Sequence, residues 1–195
     1  MVIVWSYTDP HAKADEMLAP VRDFGNPLLV GLAPVAFHEF QTAFDALLPT
    51  GLHWYWKADF YEEISDEAIA VHRRYAETIP TPLSTMHMYP ISGAATRVPE
   101  DATAFAYRNG GWAGVIAGID LDPANLPAAT VWAQQYWEEL HSMSAGGGYV
   151  NMMMEDDGNQ RVRAAYRGNY DHLVHVKGRY DPTNLFHINH NIPPS

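Results

Sequence analysis

Histidine and tyrosine are the side chains with the greatest capacity for chemistry in this 195-residue sequence, which has 10 His, 11 Tyr and no Cys. Imidazole and phenol groups exchange protons, and imidazole also binds metals. The absence of Cys excludes disulfides, thiolate nucleophiles, thiolate metal sites and cofactors tethered through sulfur. His172 and His175 stand three residues apart, and His187 and His190 lie near the C-terminus, but no HExxH or comparable metal-ligand spacing accompanies them. The sequence therefore favours scattered histidines over a metal site.

Two further chemistries lack their motifs. A hydrolase nucleophile elbow needs G-x-S-x-G between a strand and a helix, and Ser144 in Ser144-Ala145-Gly146 has neither the motif nor that context. A dinucleotide needs its pyrophosphate held by backbone N–H groups, yet neither GxGxxG nor GxxxxGK[ST] occurs. Residues 109–111 and 146–148 precede predicted strands, which is typical of turns. The sequence thus contains no evident phosphate cradle.

The elements that must position these side chains alternate between strand and helix patterns. Predicted strands cover residues 2–7, 52–61, 83–91, 94–98, 112–119 and 149–154. Predicted helices cover residues 9–25, 37–48, 65–79, 123–143, 160–166 and 170–180, with Ser65 as an N-cap, and the tail from 181 to 195 is predicted to be extended. This order indicates one α+β unit, with a mainly antiparallel sheet and helices covering one face.

Charge and composition narrow the partners. The 12 Lys and Arg against 23 Asp and Glu give a net charge of −11, which argues against nucleic acid or an anionic membrane as partner. No long apolar run or signal-peptide pattern occurs, so we expect a cytoplasmic protein. Aromatic clusters such as 54–56 and 60–61 indicate either core packing or a cleft for a flat organic ligand.

The C-terminal third carries a long and specific motif. It comprises Tyr149-Val150-Asn151, residues 163–166, residues 169–173, Tyr180-Asp181-Pro182-Thr183-Asn184-Leu185-Phe186 and Asn189-His190-Asn191-Ile192-Pro193. This order resembles the C-terminal segment of the berberine-bridge-enzyme-like FAD-linked oxidases, whose tail reads Y-D-P-x-N-L-F-x-x-N-Q-N-I. Residues 55–57 and 97–108 are similar to the substrate domain of that family. The resemblance implies that 1–143 belong to the substrate-binding domain, that 144–195 form the C-terminal segment, and that the N-terminal FAD-binding region is not among these residues.

In that family hydride passes from a small organic substrate to FAD while a base on the substrate sheet takes a proton. The resemblance therefore implies part of an FAD-dependent oxidoreductase. We expect FAD not to bind tightly to this chain alone. The implied partner is a separate flavin-binding chain, or a second copy of this one.

The resemblance also implies the site residues, although the familiar base positions are altered. The second Tyr of the family's Y-x-N-Y motif is Met152 here, the His of its P-H-R motif is Tyr107, and a Glu position falls near Arg97. Candidate bases that remain are Tyr149, Tyr107, His190, His87 and Tyr89. We predict catalytic roles for Tyr149, Tyr107 and His190, substrate contacts for Trp56, Lys57, His87, Tyr89, Arg97 and Asn151, cofactor contacts for Asn189 and Asn191, and no metal.

Two other functions stay open. One is a cofactor-free protein, derived from that domain, that binds a small molecule or associates with itself. The other is a non-redox lyase or cyclase that uses Tyr and His as acid and base.

Overall fold

The computed structural model describes residues 1–195 and divides them into two compact units, 1–46 and 47–195. The first unit contains helices α1 (Ala14–Arg22) and α2 (Phe37–Gln41), and none of its residues is buried. The predicted strand 2–7 is wrong, because these residues are irregular and the unit offers no other strand to pair with. The predicted boundary between 143 and 144 stays a prediction.

A three-stranded antiparallel sheet organises the second unit. Strand β3 (Trp112–Asp120) lies between β1 (His53–Tyr61) and β2 (Thr85–Pro90). Their register places Ala58 opposite Val115, which in turn lies opposite His87. The predicted strands at these three places are confirmed, as is the α+β class. Residues 94–98, predicted as a strand, instead belong to a 3₁₀ turn, Gly93–Arg97.

Helices cover one face of this sheet. Helix α3 (Asp66–Glu77) begins where predicted, since Ser65 Oγ accepts a hydrogen bond from the Ala68 N–H at 3.1 Å. Helix α4 (Leu126–His141) packs against β1, β3 and α3. The core between them consists of Tyr61, Ala68, Val71, Ile116, Trp132, Ala133, Tyr136 and Leu140.

The close approach of α4 to the sheet depends on a residue without a side chain. A Cβ atom at Gly118 in β3 would lie 2.5 Å from the carbonyl oxygen of Ala129 in α4, well inside van der Waals contact. Only glycine fits at this position without displacing the helix.

The C-terminal third is joined to the edge of β1 by backbone hydrogen bonds. The Phe60 N–H donates to the Gly147 carbonyl at 2.7 Å, and the Ala145 N–H donates to the Phe60 carbonyl at 2.7 Å. The predicted strand 149–154 is wrong, since Val150–Met152 forms a 3₁₀ turn. The following predicted helices are confirmed as α5 (Gly158–Tyr166) and α6 (Tyr170–Tyr180), and residues 181–195 form neither helix nor strand.

No helix in this fold combines the length and the apolar character needed to span a bilayer.

Candidate functional site

The sheet face turned away from α4, called here the distal face, holds three of the predicted site residues, Trp56, His87 and Tyr89. Because side chains alternate along a strand, the neighbours of Tyr61 and Ile116, which pack toward α4, point to the opposite side. The distal face therefore comprises Trp54, Trp56, Ala58 and Phe60 of β1, Thr85, His87 and Tyr89 of β2, and Ala113, Val115, Ala117 and Ile119 of β3.

Small apolar side chains on β3 form the centre of the distal face, and larger groups stand on both sides. On the β1 side, the ring of Phe60 stacks on Tyr107 at 3.9 Å between centroids. Phe105 contacts Phe60 edge-on at 5.8 Å and approaches Tyr149 at 6.3 Å. An aromatic wall thus runs from β1 toward the residues before the Val150–Met152 turn.

A hydrogen-bonded pair stands on the β2 side. His87 Nδ1 and Tyr89 Oη are 2.7 Å apart, and 46 % of Tyr89 is exposed. Burial of part of each ring lowers the pKa of His87 and raises the pKa of Tyr89, so near neutral pH both groups are uncharged. A neutral imidazole beside a phenol can accept a hydrogen bond from the phenol hydroxyl.

Two indole rings lie farther along β1 on the same face. Trp54 and Trp56 contact each other at 5.5 Å between ring centroids. The Nε1–H of Trp56 is buried and has no acceptor among the protein atoms. A buried donor without a partner is uncommon in a folded protein, so this N–H marks a place for an acceptor on a bound molecule or water.

The other predicted residues near the aromatic wall bond within the chain. The Tyr107 hydroxyl donates to the Ala164 carbonyl at 3.0 Å, and the Arg167 guanidinium lies over its ring at 3.8 Å, so this Tyr is part of the packing. Asn151 Nδ2 donates to Tyr149 Oη at 2.8 Å. Their catalytic and substrate roles stay predictions.

Lys57 does not join the distal face. Its Nζ lies on the α4 side of the sheet, 3.0 Å from Asp156 Oδ1 and 3.2 Å from Asp157 Oδ1. It also lies 5.5 Å from the centre of the Trp137 ring. Lys57 and Trp56 are both predicted to contact substrate, but they lie on opposite faces of the sheet. The reason is that adjacent side chains alternate between the two faces along β1.

The ion pairs around Lys57 extend to a buried carboxylate that the sequence reasoning missed. Asp59 has no exposed side-chain surface, and its oxygens lie 3.0 Å from Arg161 Nη2 and 2.9 Å from His141 Nδ1. Burial raises the pKa of Asp59 above its usual value despite these partners. The signal available in the sequence was the placement of Lys57 and Asp59 two residues apart on an apolar strand, since such charges require partners.

Ser144 completes a Ser, His and Asp grouping that is not a catalytic triad. Ser144 Oγ lies 3.3 Å from His141 Nδ1, the same nitrogen that contacts Asp59. A triad needs Asp and Ser on different imidazole nitrogens. The geometry therefore agrees with the missing nucleophile motif.

The C-terminal motif forms a pinned turn. The Leu185 and Phe186 N–H groups donate to the Asp181 carboxylate at 2.7 and 3.0 Å, and Lys177 also pairs with Asp181. These hydrogen bonds give Asp181 a structural role in the turn.

The remaining predicted residues lie in the tail and the 3₁₀ turn. His190 Nε2 lies 3.0 Å from the Met153 carbonyl, which ties the tail to the segment before α5. Asn189 is exposed, with a left-handed φ of 58°, Asn191 is half-buried, and Arg97 is exposed. No group of three or more His, Asp or Glu side chains is arranged to hold a metal ion.

The sequence of this chain is similar to that of a described protein family. Residues 148–193 match the family model described as berberine and berberine like. The whole chain is 24 % identical to an FAD-linked oxidoreductase of Dictyostelium discoideum, and 96 % of it aligns at 28 % identity with an uncharacterized FAD-linked oxidoreductase of Bacillus subtilis. The chain spans 42 % of the length of each of these two relatives.

Solved structures share the fold. A berberine-bridge-enzyme-like protein of Arabidopsis thaliana superposes with a TM-score of 0.68 over 75 % of this chain and 34 % of its own, at 22 % sequence identity. Aclacinomycin oxidoreductase superposes with a TM-score of 0.65 over 73 % of this chain and 33 % of its own, at 21 % identity. The chain is thus similar to FAD-linked oxidoreductases over its whole length, and residues 148–193 match the berberine and berberine like family model.

Proposed function

We propose that this chain supplies the substrate-binding sheet and C-terminal segment of an FAD-linked oxidoreductase of the berberine bridge type. The flavin-binding region then lies in polypeptide outside these 195 residues. The distal face carries this function, because it places an aromatic wall, an unpartnered indole N–H and the His87–Tyr89 pair around a floor of small apolar side chains. A small organic substrate with a flat or apolar body fits such a surface.

FAD makes two different demands on a protein, and these residues fit one of them. Its flat ring has polar edges, which suits aromatic side chains and the free Nε1–H of Trp56. The resemblance assigns Asn189, which is exposed, and Asn191, which is half-buried, to the cofactor as well. Its pyrophosphate needs N–H groups or basic side chains, yet Gly158 at the start of α5 follows three acidic residues. We therefore assign the ring end to this chain and the pyrophosphate end to the outside region.

FAD, when bound, accepts the hydride from the substrate. The residues of this chain orient the substrate carbon, exclude water from it and take the substrate proton. The aromatic wall limits sideways movement of a bound molecule. Such positioning supplies a large part of the rate enhancement in enzymes of this kind.

The experiment is reconstitution. The purified chain is titrated with FAD, alone and together with a separately expressed flavin-binding region of a related FAD-linked oxidoreductase, and flavin fluorescence reports binding. We expect weak binding by the chain alone, and flavin bleaching when the complex meets members of a panel of alcohols without oxygen. Trp56→Phe keeps the aromatic ring but removes the unpartnered N–H, and it should weaken binding of flavin or substrate. Trp54→Phe is the matched control.

Stoichiometric, tight FAD binding by the chain alone would contradict the division of labour proposed here. A complex that forms but is not bleached by any member of the panel would contradict the oxidoreductase function.

A further inference from the structure

Resting on the proposed function, we propose that His87 and Tyr89 form the proton-accepting couple of the distal face. Tyr89 Oη takes the proton of a substrate hydroxyl, and the phenol proton passes to His87 Nδ1. In this assignment Tyr89 touches the substrate, whereas His87 acts through Tyr89.

The geometry of β2 creates the couple. The two residues are separated by Met88 alone, so the strand turns both side chains to the same side, while Met86 and Met88 pack toward the core under α4. The Nδ1 to Oη distance of 2.7 Å is that of a strong hydrogen bond. The residue Tyr89 remains 46 % exposed, so a molecule on the distal face can contact it.

The surroundings keep the couple free for proton transfer. Each side chain hydrogen-bonds only to the other, and neither takes part in an ion pair. The residues directly opposite on β3 are Val115 and Ala113, which carry no charge. Partial burial favours the neutral imidazole that the transfer requires.

The other candidate groups are engaged elsewhere. The Tyr107 hydroxyl donates to a backbone carbonyl, and His190 Nε2 contacts another. Tyr149 Oη meets an amide donor, Asn151, instead of a base. Among these tyrosines and histidines, only the couple on β2 joins a phenol directly to an imidazole and also faces the distal surface.

The atoms and electrons of the step balance. A substrate alcohol loses hydride from carbon to the flavin and its hydroxyl proton to Tyr89 Oη, and a C=O bond forms. Tyr89 gives its own proton to His87 Nδ1 and stays neutral, while the imidazole becomes imidazolium. That proton leaves to solvent before the next turnover.

The first test uses the chain alone and needs no flavin. Nitrogen NMR of ¹⁵N-histidine-labelled protein should show His87 in the tautomer protonated on Nε2, with Nδ1 accepting a hydrogen bond. Tyr89→Phe should shift the Nδ1 resonance of that residue, while Tyr180→Phe, a change at an exposed tyrosine on α6, should leave it in place. An Nδ1 resonance that is the same in wild type and Tyr89→Phe would overturn the couple, whatever the cofactor does.

The second test uses the reconstituted complex. Tyr89→Phe should slow flavin reduction by about 10²-fold with little change in KM, the usual effect of losing a positioned acid or base. His87→Gln should slow it less and also alter its pH dependence, which a merely structural role would not do. Tyr180→Phe is again the control.

The outcomes separate the two proposals. A wild-type complex that never reduces flavin contradicts the oxidoreductase function. A wild-type complex that reduces flavin, with Tyr89→Phe within about threefold of it, contradicts the couple and leaves the proposed function standing.

Discussion

Asp59 is a buried carboxylate within an ion-pair network on the α4 side of the sheet. Its side chain has no exposed surface and contacts Arg161 and His141, while Lys57 pairs with Asp156 and Asp157 beside it. A carboxylate so enclosed is tolerable only while its partners remain.

Removing the charge of Asp59 tests this dependence. Asp59→Asn leaves the buried Arg161 guanidinium short of one carboxylate and should lower the free energy of unfolding by about 3 kcal/mol. Asp171→Asn breaks an exposed pair with Arg163 and should cost less than about 1 kcal/mol. Urea unfolding followed by tryptophan fluorescence measures both, and equal losses would show that the buried network has no special weight.

His72 gives the fold a dependence on pH. Burial lowers its pKa below the ordinary value of 6.5, and its Nδ1 lies 2.6 Å from Tyr136 Oη. As the pH falls below about 6.5, the unfolded chain binds a proton that the folded chain resists, so stability decreases. We expect His72→Gln to flatten the change in unfolding free energy between about pH 7.5 and about pH 5.5. His172→Gln, at an exposed position, should leave that slope unaltered, and an unchanged slope in His72→Gln would contradict the assignment.

At the scale of elements, the contact between β3 and α4 depends on a missing side chain. Gly118→Ala places a methyl group 2.5 Å from the Ala129 carbonyl, so the helix must shift, at a cost of about 1–3 kcal/mol. Gly168→Ala meets nothing within 4 Å and should change stability by less than about 0.5 kcal/mol. Thermal unfolding of the two variants measures the difference. Equal melting temperatures would mean that α4 moves away from residue 118 at no measurable cost in stability, which would contradict this prediction.

The sequence predicted those elements whose signals are local. Ser65 indicates the start of α3 because its hydroxyl caps the first turn of that helix. Alternation of side chains, together with aromatic residues, identifies β1. The strand predicted at residues 149–154 is wrong because an apolar run does not distinguish a strand from a tight turn. In this fold the backbone pairing with β1 ends at Gly147, so the run that follows is free to coil.

The candidate site was predictable in part for the same reason. A period of two places His87 and Tyr89 on one side of β2, and the sequence contains that relation. The sequence does not indicate which face of β1 the helices cover, and so it does not separate Lys57 from Trp56. The contact between Tyr107 and Ala164 joins residues 57 positions apart, which no local pattern encodes.

At the scale of the whole molecule, the turn pinned by Asp181 displays apolar side chains to solvent. Leu185, Phe186 and Ile188 are 70, 75 and 80 % exposed. Apolar surface displayed in this way favours association. We expect light scattering to show self-association of the isolated chain at high concentration, and the triple change of these residues to Ser to weaken it.

The same triple variant should keep the melting temperature of the wild type, because exposed side chains contribute little to the core. A wild-type chain that stays monomeric at high concentration would contradict this expectation. So would a triple variant that associates equally well.

The two hydrogen bonds between Phe60 and residues 145–147, together with the donation from Arg161 Nη2 to the Ala58 carbonyl, have a practical consequence for protein engineering. In a hybrid that takes only residues 144–195 from a relative, the edge of β1 would contact a segment of different sequence. A crossover placed ahead of His53 transfers β1 together with the C-terminal segment that hydrogen-bonds to its edge. Recombination libraries built from this chain and similar proteins should therefore place their junctions before that strand.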